Sequence, residues 1–525
     1  MGKGMGMSME REERRPCLRE AILAQDGRRF PGKSYADAVL VPIFEQAKRY
    51  LLQPMLAIHR AHLVMLVEQG LLEADAGRRI LAALDGIDPA EVAARSYDGR
   101  FEDLFFYIEQ LLIERAGEVA GNLHIARSRN DMGVAMYRMV LRRQILQVAE
   151  AMLALYRTLA ELAAEHVDTL TLAYTHTQPA QPTTLAHYLV AAADVLGRDL
   201  ARLQRAYDLV NRSPLGAAAL TTSGFPVDRR RVAELLGFDG LVENSYDAIA
   251  SVDYLTETAA ALQLAFVHTG RFVQDLLVWC THEFGALKLA DAYVQCSSIM
   301  PQKRNPVGLE HARALLSSGA ASAAAVIAML HNTPFGDIVD SEDDLQPHLW
   351  QAAEVGARVF RLLANITGTV EVNRPLLEQR ARASFATVTE LADALVREKG
   401  LDFRSAHGVV SRAVRRAEEH GRQAAGITAA DVAAAAREVL GRELAVDDDL
   451  VRRALDPAVF VAVRRVTGGP APDEVRRMLA EREATADRLA GWLEARERSL
   501  AAARQRLEEA CRAVRGERGA PTFRD

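Results

Sequence analysis

LAHYLVAAADVLGRDLARLQRAYDLV, residues 185–210, decides the fold class. Apolar side chains recur at 185, 189, 192, 196, 200, 203, 207 and 210. Seven intervals cover 25 residues, close to the 3.6-residue helical period, so one face stays apolar for about seven turns. A stripe that long has to be covered by other helices. The same period runs through about 132–165, 254–285, 306–331 and 346–370, while alternating strand patterns are scarce. The spacing predicts a mainly α protein built on a long central helical bundle, with apolar face left over for neighbouring subunits.

Outward from this bundle, composition shifts near residue 371, after which Arg, Glu and Ala dominate shorter helical segments. The expected division is a disordered leader (1–20), an N-terminal helical domain (21–121), the central bundle (122–370) and a C-terminal helical domain (371–525) whose last dozen residues are poorly ordered. The chain has 525 residues, 49% apolar and 26% charged, an ordinary soluble composition. Lys and Arg number 64 against 70 Asp and Glu, a net charge of −6 with no basic block, which argues against a nucleic-acid partner. Four cysteines (Cys17, Cys280, Cys296, Cys511) lie far apart without a CxxC pair, excluding a disulfide scaffold or a cysteine-based zinc module. The longest charge-free apolar stretch, Ala314 to Leu330, is short for a membrane span. Glu10 to Arg15 is charged where a signal peptide needs an apolar run. The expectation is a cytoplasmic protein with neither a membrane nor a nucleic acid as partner.

Gly27 to Ser34 (GRRFPGKS) matches the phosphate-binding expression GxxxxGKS. That loop needs a buried strand before it and backbone N–H groups facing phosphate. Pro31 removes a donor and Leu18–Asp26 is a weak strand at best, so nucleotide binding is rejected.

Four polar, Gly/Pro-rich interruptions sit at helix ends: 121–131 (GNLHIARSRND), 174–184 (YTHTQPAQPTT), 213–228 (SPLGAAALTTSGFPVD) and 291–308 (DAYVQCSSIMPQKRNPVG). The last offers hydroxyls, a lysine and an amide within ten residues, 297–306, in a form able to close over an anion. Lys303 is one of six lysines among the 64 basic residues, so a purely solubilising charge would here almost always be Arg.

The decapeptide SSIMPQKRNP, residues 297–306, closely resembles the SSxMPxKxNP signature of the fumarase/aspartase superfamily, and its PQK variant is similar to argininosuccinate lyase. His124–Asp131 resembles that family's LHxxRSRND, Tyr174–Pro182 its YTHxQ…AQP, and Pro214–Ala217 with Phe225–Arg229 its PLGxGAL…FPxDR. Asn244–Ala248 and Gly468–Pro472 extend the likeness, which covers roughly residues 30 to 490.

The resemblance implies a three-domain, homotetrameric fold and an anti β-elimination that releases fumarate from an N-substituted aspartate, without cofactor or metal. It implies Ser297 as the base taking the Cβ proton and His176 as the group serving the leaving nitrogen, with the reverse assignment open. Lys303, supported by Asn305, would stabilise the doubly charged aci-carboxylate. Glu310, four residues after the Asn-Pro pair, would orient His176. Ser128, Arg129, Asn130, Thr175, Gln178, Ser298 and Met300 would hold the substrate, the guanidinium of Arg129 through paired bonds to a carboxylate. The family draws the His176, Ser297 and Asn130 segments of each site from three different subunits. Taken singly, His176 reads as a loop histidine and Asn130 or Asp131 as a helix cap; the ordered set favours the catalytic reading.

Several departures fall on the amine side of the substrate. The family's EDxH is Glu102-Asp103-Leu104-Phe105, with Phe for His. SxRDF becomes Ser251-Val252-Asp253-Tyr254, with Val252 for the arginine, and NPD reads Asn305-Pro306-Val307. YNKDLQxDK is not recognisable in 333–345 (TPFGDIVDSEDDL), and the early serine-bearing segment is missing around 41–50. The acids of 337–344 suit a cationic amine better than a carboxylate, or are simply solvated. The expected substrate is argininosuccinate or another N-succinyl amine such as ethylenediamine disuccinate. The alternatives are a catalytically silent homologue, against which the intact Ser297, Lys303, Asn305, His176 and Glu310 count, and a fumarase-like C–O lyase, disfavoured by RSRND and PQK.

Overall fold

The computed structural model describes residues 17–517. Its centre is a bundle formed by α1 (Arg129–Glu165), a β-hairpin of β1 (Leu170–Thr175) and β2 (Gln178–Thr184), then α2 (Leu185–Val210), α3 (Asp253–Trp279), α4 (Val307–Leu330) and α5 (Gln346–Thr367). The five helices lie where the periodicity predicts, except that α3 ends at Trp279 rather than near 285. On α2 the stripe positions are buried apart from Ala192, which sits at its edge. Phe266 of α3 and Phe360 of α5 stack at 5.9 Å in the middle, with Gly319 and Gly356 leaving room for the Phe266 ring.

Ser128 starts α1. Its hydroxyl accepts the N–H groups of Asn130 and Asp131, and the Asp131 carboxylate accepts the Ser128 N–H at 3.0 Å. Asp131 is fully buried and also accepts from Gly216 and Ala218 (2.9 and 3.2 Å), tying segment 213–228 to this end of the bundle. Burial pushes its carboxyl up to about 6.

Successive helices run in opposite directions. Near the start of α1, Arg138 donates to the Leu209 carbonyl (2.9 Å) and lies 3.9 Å from the ring of Tyr254, so α2 ends and α3 begins there. At the other end Ala186 bonds back to His166, and Asn373 bonds to Ala286 at 2.9 Å. Segments 211–252 and 331–345 therefore turn at the first end, and 166–184 and 280–306 at the second.

α4 begins at Val307, ahead of the apolar stretch read from sequence, and carries an 18-residue window of mean hydropathy 1.5. By length and composition it could cross a membrane; 28% of that window is buried in the chain, against α3 and α5. A broad apolar face stays uncovered.

The N-terminal helices, including Leu52–Glu68 and Leu104–Ala116, enclose a core with Ile58, Leu63 and Leu84. Residues 391–455 form a separate core around Leu391, Val409 and Leu450. The shorter segments expected after 371 give way to α6 (Pro472–Arg515), 44 residues long. Its first part packs on the bundle through Val475 and Leu489, and its last turns enter the N-terminal core through Leu507, Cys511 and Val514. Of the expected leader, 1–16 lie outside the described residues, and Leu18–Asp26 is a helix. Of the last dozen, 518–525 lie outside them and α6 runs to Arg515. In the GxxxxGKS match Ser34 turns its N–H and hydroxyl onto Asp26 (2.6 and 2.9 Å), and a helix rather than a strand precedes it.

Candidate active site

The predicted residues occupy the two ends of the bundle. At the far end the hairpin turns over His176 and Thr177, with φ of 52° and 62°. A two-residue hairpin turn matched to strand twist needs both residues left-handed, a place usually given to Asn-Gly. A histidine and a β-branched threonine there store strain of order 1–3 kcal/mol each, a cost that clusters at functional sites. Thr175, His176 and Gln178 are exposed at the tip.

At the same end Gln295–Cys296 pairs antiparallel with Arg304–Asn305, raising 297–303 as a loop. Arg304 fixes its base, donating to the Leu289 carbonyl at 3.0 Å and pairing with Asp291 at 2.6 Å. The Ser297 hydroxyl accepts the Met300 N–H at 3.1 Å, and the Lys303 N–H donates to the Met300 carbonyl at 3.0 Å. Ser298, Met300 and Lys303 are exposed, Ser297 and Asn305 half-buried. Glu310 is exposed in the first turn of α4.

Ser128, Arg129 and Asn130 stand at the opposite end. α1 has 37 residues, so at 1.5 Å per residue they are separated from the hairpin by about 55 Å. One chain does not bring the predicted set together.

The sequence departures collect beside Arg129. Its Nη1 bridges Glu102 (3.1 Å) and Asp103 (2.9 Å), and its guanidinium lies 4.7 Å from the Phe106 ring centre. Phe105, in place of the family's histidine, is buried between His59 and His124. Val307 alone among the departures lies at the far end, opening α4.

The 337–344 acids are not uniformly solvated. Asp337 accepts from Asn130, and Asp343 accepts from Tyr137 at 2.9 Å, whereas Asp340 and Asp344 are exposed. Burial, with Asp337 and Asp343 close by, pushes Glu342 up to about 8. Burial raises Asp343 and Asp103 as well. Aligned on Asp340 and Asp344, the pattern YNKDLQxDK can be placed after all: Asp337 stands at its Tyr, Glu342 at its Gln and Leu345 at its Lys. Tyr137 and Tyr254 were not singled out from sequence; Glu342 was read only as one of the 337–344 acids, and the four-residue spacing of Asp340 and Asp344 was the available signal for its place in the pattern. Among the described residues no three His, Cys, Asp or Glu side chains are grouped as metal ligands would be.

Long antiparallel helices with polar loops at both ends, one carrying SSIMPQKRNP, define a lyase of the fumarase/aspartase superfamily. The family described as Lyase matches residues 104–318, and the one described as Argininosuccinate lyase C-terminal matches 385–462. Argininosuccinate lyase 2 of Agrobacterium fabrum is 43% identical over 460 residues, 87% of this chain and 91% of that protein. Argininosuccinate lyase of Methanocaldococcus jannaschii is 38% identical over 424 residues, 80% of this chain and 85% of that one. The crystal structure of an EDDS lyase in complex with formate superposes with a TM-score of 0.83 at 33% identity, covering 90% of this chain and 96% of that one. The chain belongs to the argininosuccinate lyase family: it is a carbon–nitrogen lyase of the type that eliminates fumarate from N-succinyl substrates.

Proposed function

We propose that the active sites are completed between copies of this chain in a homotetramer, each drawing Ser128–Asn130, the His176 hairpin and the Ser297 loop from different subunits. The observation that carries this reading is the separation of the two groups by about the length of α1, about 55 Å, far beyond the reach of one small substrate. The uncovered apolar face of α4 supports it, because that face asks for protein rather than water.

In the assembled site Ser297 takes the Cβ proton, Lys303 and Asn305 hold the carboxylate as it gains charge, and the C–N electron pair leaves with the amine. His176, oriented by Glu310, returns a proton to that nitrogen. An unassisted serine is too weak a base, so Ser297 depends on closure of its loop and the cation of Lys303. Arg129, Asn130, Thr175, Gln178, Ser298 and Met300 position the succinyl half. No cofactor is assigned, and a cytoplasmic enzyme fits this reading. Fumarate formation from a panel of N-succinyl amines, followed by ultraviolet absorbance, tests it. Absence of fumarate from every member, argininosuccinate included, would overturn it.

A further inference from the structure

Two buried side chains just ahead of the Ser128–Asn130 segment carry more donors than they have acceptors. His59, on the helix Leu52–Glu68, is 2% exposed and Arg127 is 8% exposed. They touch: Nη1 of Arg127 stands 3.1 Å from Nδ1 of His59. A guanidinium only donates, so Nδ1 accepts, and the imidazole, kept neutral by burial, carries its proton on Nε2. That Nε2–H and the N–H groups on Nε and Nη2 of Arg127 have no acceptor among the described residues. Buried polar groups are nearly always paired, and here three donors in two contacting side chains are not.

Charge points the same way. Burial lowers the Arg127 guanidinium to about 10, which leaves it protonated at neutral pH. The acids whose fields reach it, Asp131 and Glu109, are engaged elsewhere. Asp131 accepts from Ser128, Gly216 and Ala218, and Glu109 pairs with His124 at 2.8 Å. A water accepts such donors but leaves the buried charge unbalanced; an anion answers both. The Phe105 ring, centred 6.1 Å from the His59 ring and 5.2 Å from that of His124, presents only carbon where the family's EDxH has an imidazole nitrogen able to accept. The backbone nearby is held firmly. His62 donates to the Ile125 carbonyl at 2.9 Å, and Ala126 takes a φ of 57°, a left-handed conformation that alanine keeps only where its surroundings fix it.

We infer that Arg127 and His59 bind a small monovalent anion of chloride size, enclosed in the N-terminal core behind the Ser128–Asn130 segment. The guanidinium supplies the countercharge, and its open N–H groups and the His59 Nε2–H supply the donors. Arg127 directly precedes Ser128, so the anion steadies the base of a segment proposed to hold the substrate. The site is separate from the reacting groups at Ser297 and His176, and its test needs no turnover.

The full-length enzyme is unfolded and refolded in chloride-free sodium gluconate, then melted in sodium gluconate, chloride or bromide at equal ionic strength. Chloride and bromide should raise Tm by about 2 °C or more over gluconate, with the concentration dependence of binding at one site. Crystals of enzyme refolded in bromide should show an anomalous peak in contact with the side-chain nitrogens of Arg127 and His59. Arg127→Met, which removes the charge and its donors, should lose the halide response, and Phe105→His, which restores an acceptor beside His59, should weaken it. Equal melting in all three salts overturns the inference and leaves the donors to water. Bromide found only elsewhere, or a halide response that Arg127→Met keeps in full, overturns it too. Should Arg127→Met fail to fold, an undiminished response in Phe105→His counts against the site, and the bromide position in the wild type decides.

Discussion

Mixing two inactive variants tests the shared site quantitatively. Ser297→Ala removes the proposed base at one end of the bundle, and Asn130→Ala removes a proposed substrate contact at the other. If the two groups served one site within a chain, every subunit in a mixture would carry a defect and none would work. If each site takes residue 130 from one subunit and residue 297 from another, an equal mixture assorts them independently. About one quarter of the sites, half of one half, then receive both intact segments. The two variants are unfolded together, refolded, checked for mixed tetramers by native mass spectrometry, and assayed for fumarate release. Recovery near a quarter of wild-type activity is expected, against a few per cent or less for either variant alone. Mixed tetramers no more active than their parents would refute the reasoning, as would an active monomer at nanomolar concentration.

Ser297→Ala alone should abolish turnover with helicity unchanged; activity within tenfold of wild type would remove Ser297 from proton transfer. His176→Asn should lose most activity and Glu310→Gln less, since the glutamate is proposed to orient rather than react. In Gly319→Ala the new Cβ would stand 2.8 Å from Cε2 of Phe266. Although alanine favours a helix by about 1 kcal/mol, overpacking of about 1–3 kcal/mol should win. Tm should therefore fall, and a rise would contradict the packing described for Phe266. The Glu342 carboxyl is raised from 4.5 to about 8, so the folded state holds its proton where the unfolded chain has lost it. That contribution is complete below about pH 4.5 and is lost as pH rises through about 8. Glu342→Gln should therefore melt progressively higher than wild type between these limits, and identical pH profiles would count against a buried carboxyl at 342.

The bundle was legible because its physics is repetitive: each stripe on α2, α3 and α5 needs a covering helix, and burial follows the period. α6 was harder to read. Its Arg/Glu-rich surface hides a stripe shared between two cores, so a 44-residue helix looked like several short ones. Motif order gave a residue set for the site, and the resemblance implied its division among subunits, but neither carried a distance; the fold supplies the separation between the two ends. The strained turn at His176 was equally invisible, since Thr-His-Thr does not advertise left-handed backbone. In 337–344 the acids looked alike on paper. Half-burial distinguishes Asp337, Glu342 and Asp343 from Asp340 and Asp344, and burial depends on contacts with Asn130 and Tyr137, some two hundred residues away in the chain.

The course of α6 sets an order of events during synthesis. Ile58, Leu63 and Leu84 leave the ribosome more than four hundred residues ahead of the walls that finish their enclosure, Leu507, Cys511 and Val514. The helices around Ile58 and Leu84 must therefore wait, with part of their oily interior open to water and to other chains, until α6 has emerged. A premature stop a few turns before Arg515 would damage the beginning of the molecule rather than its end. The nascent chain is the form most exposed to aggregation, and a chaperone that recognises bare apolar surface has its longest opportunity at the N-terminal third.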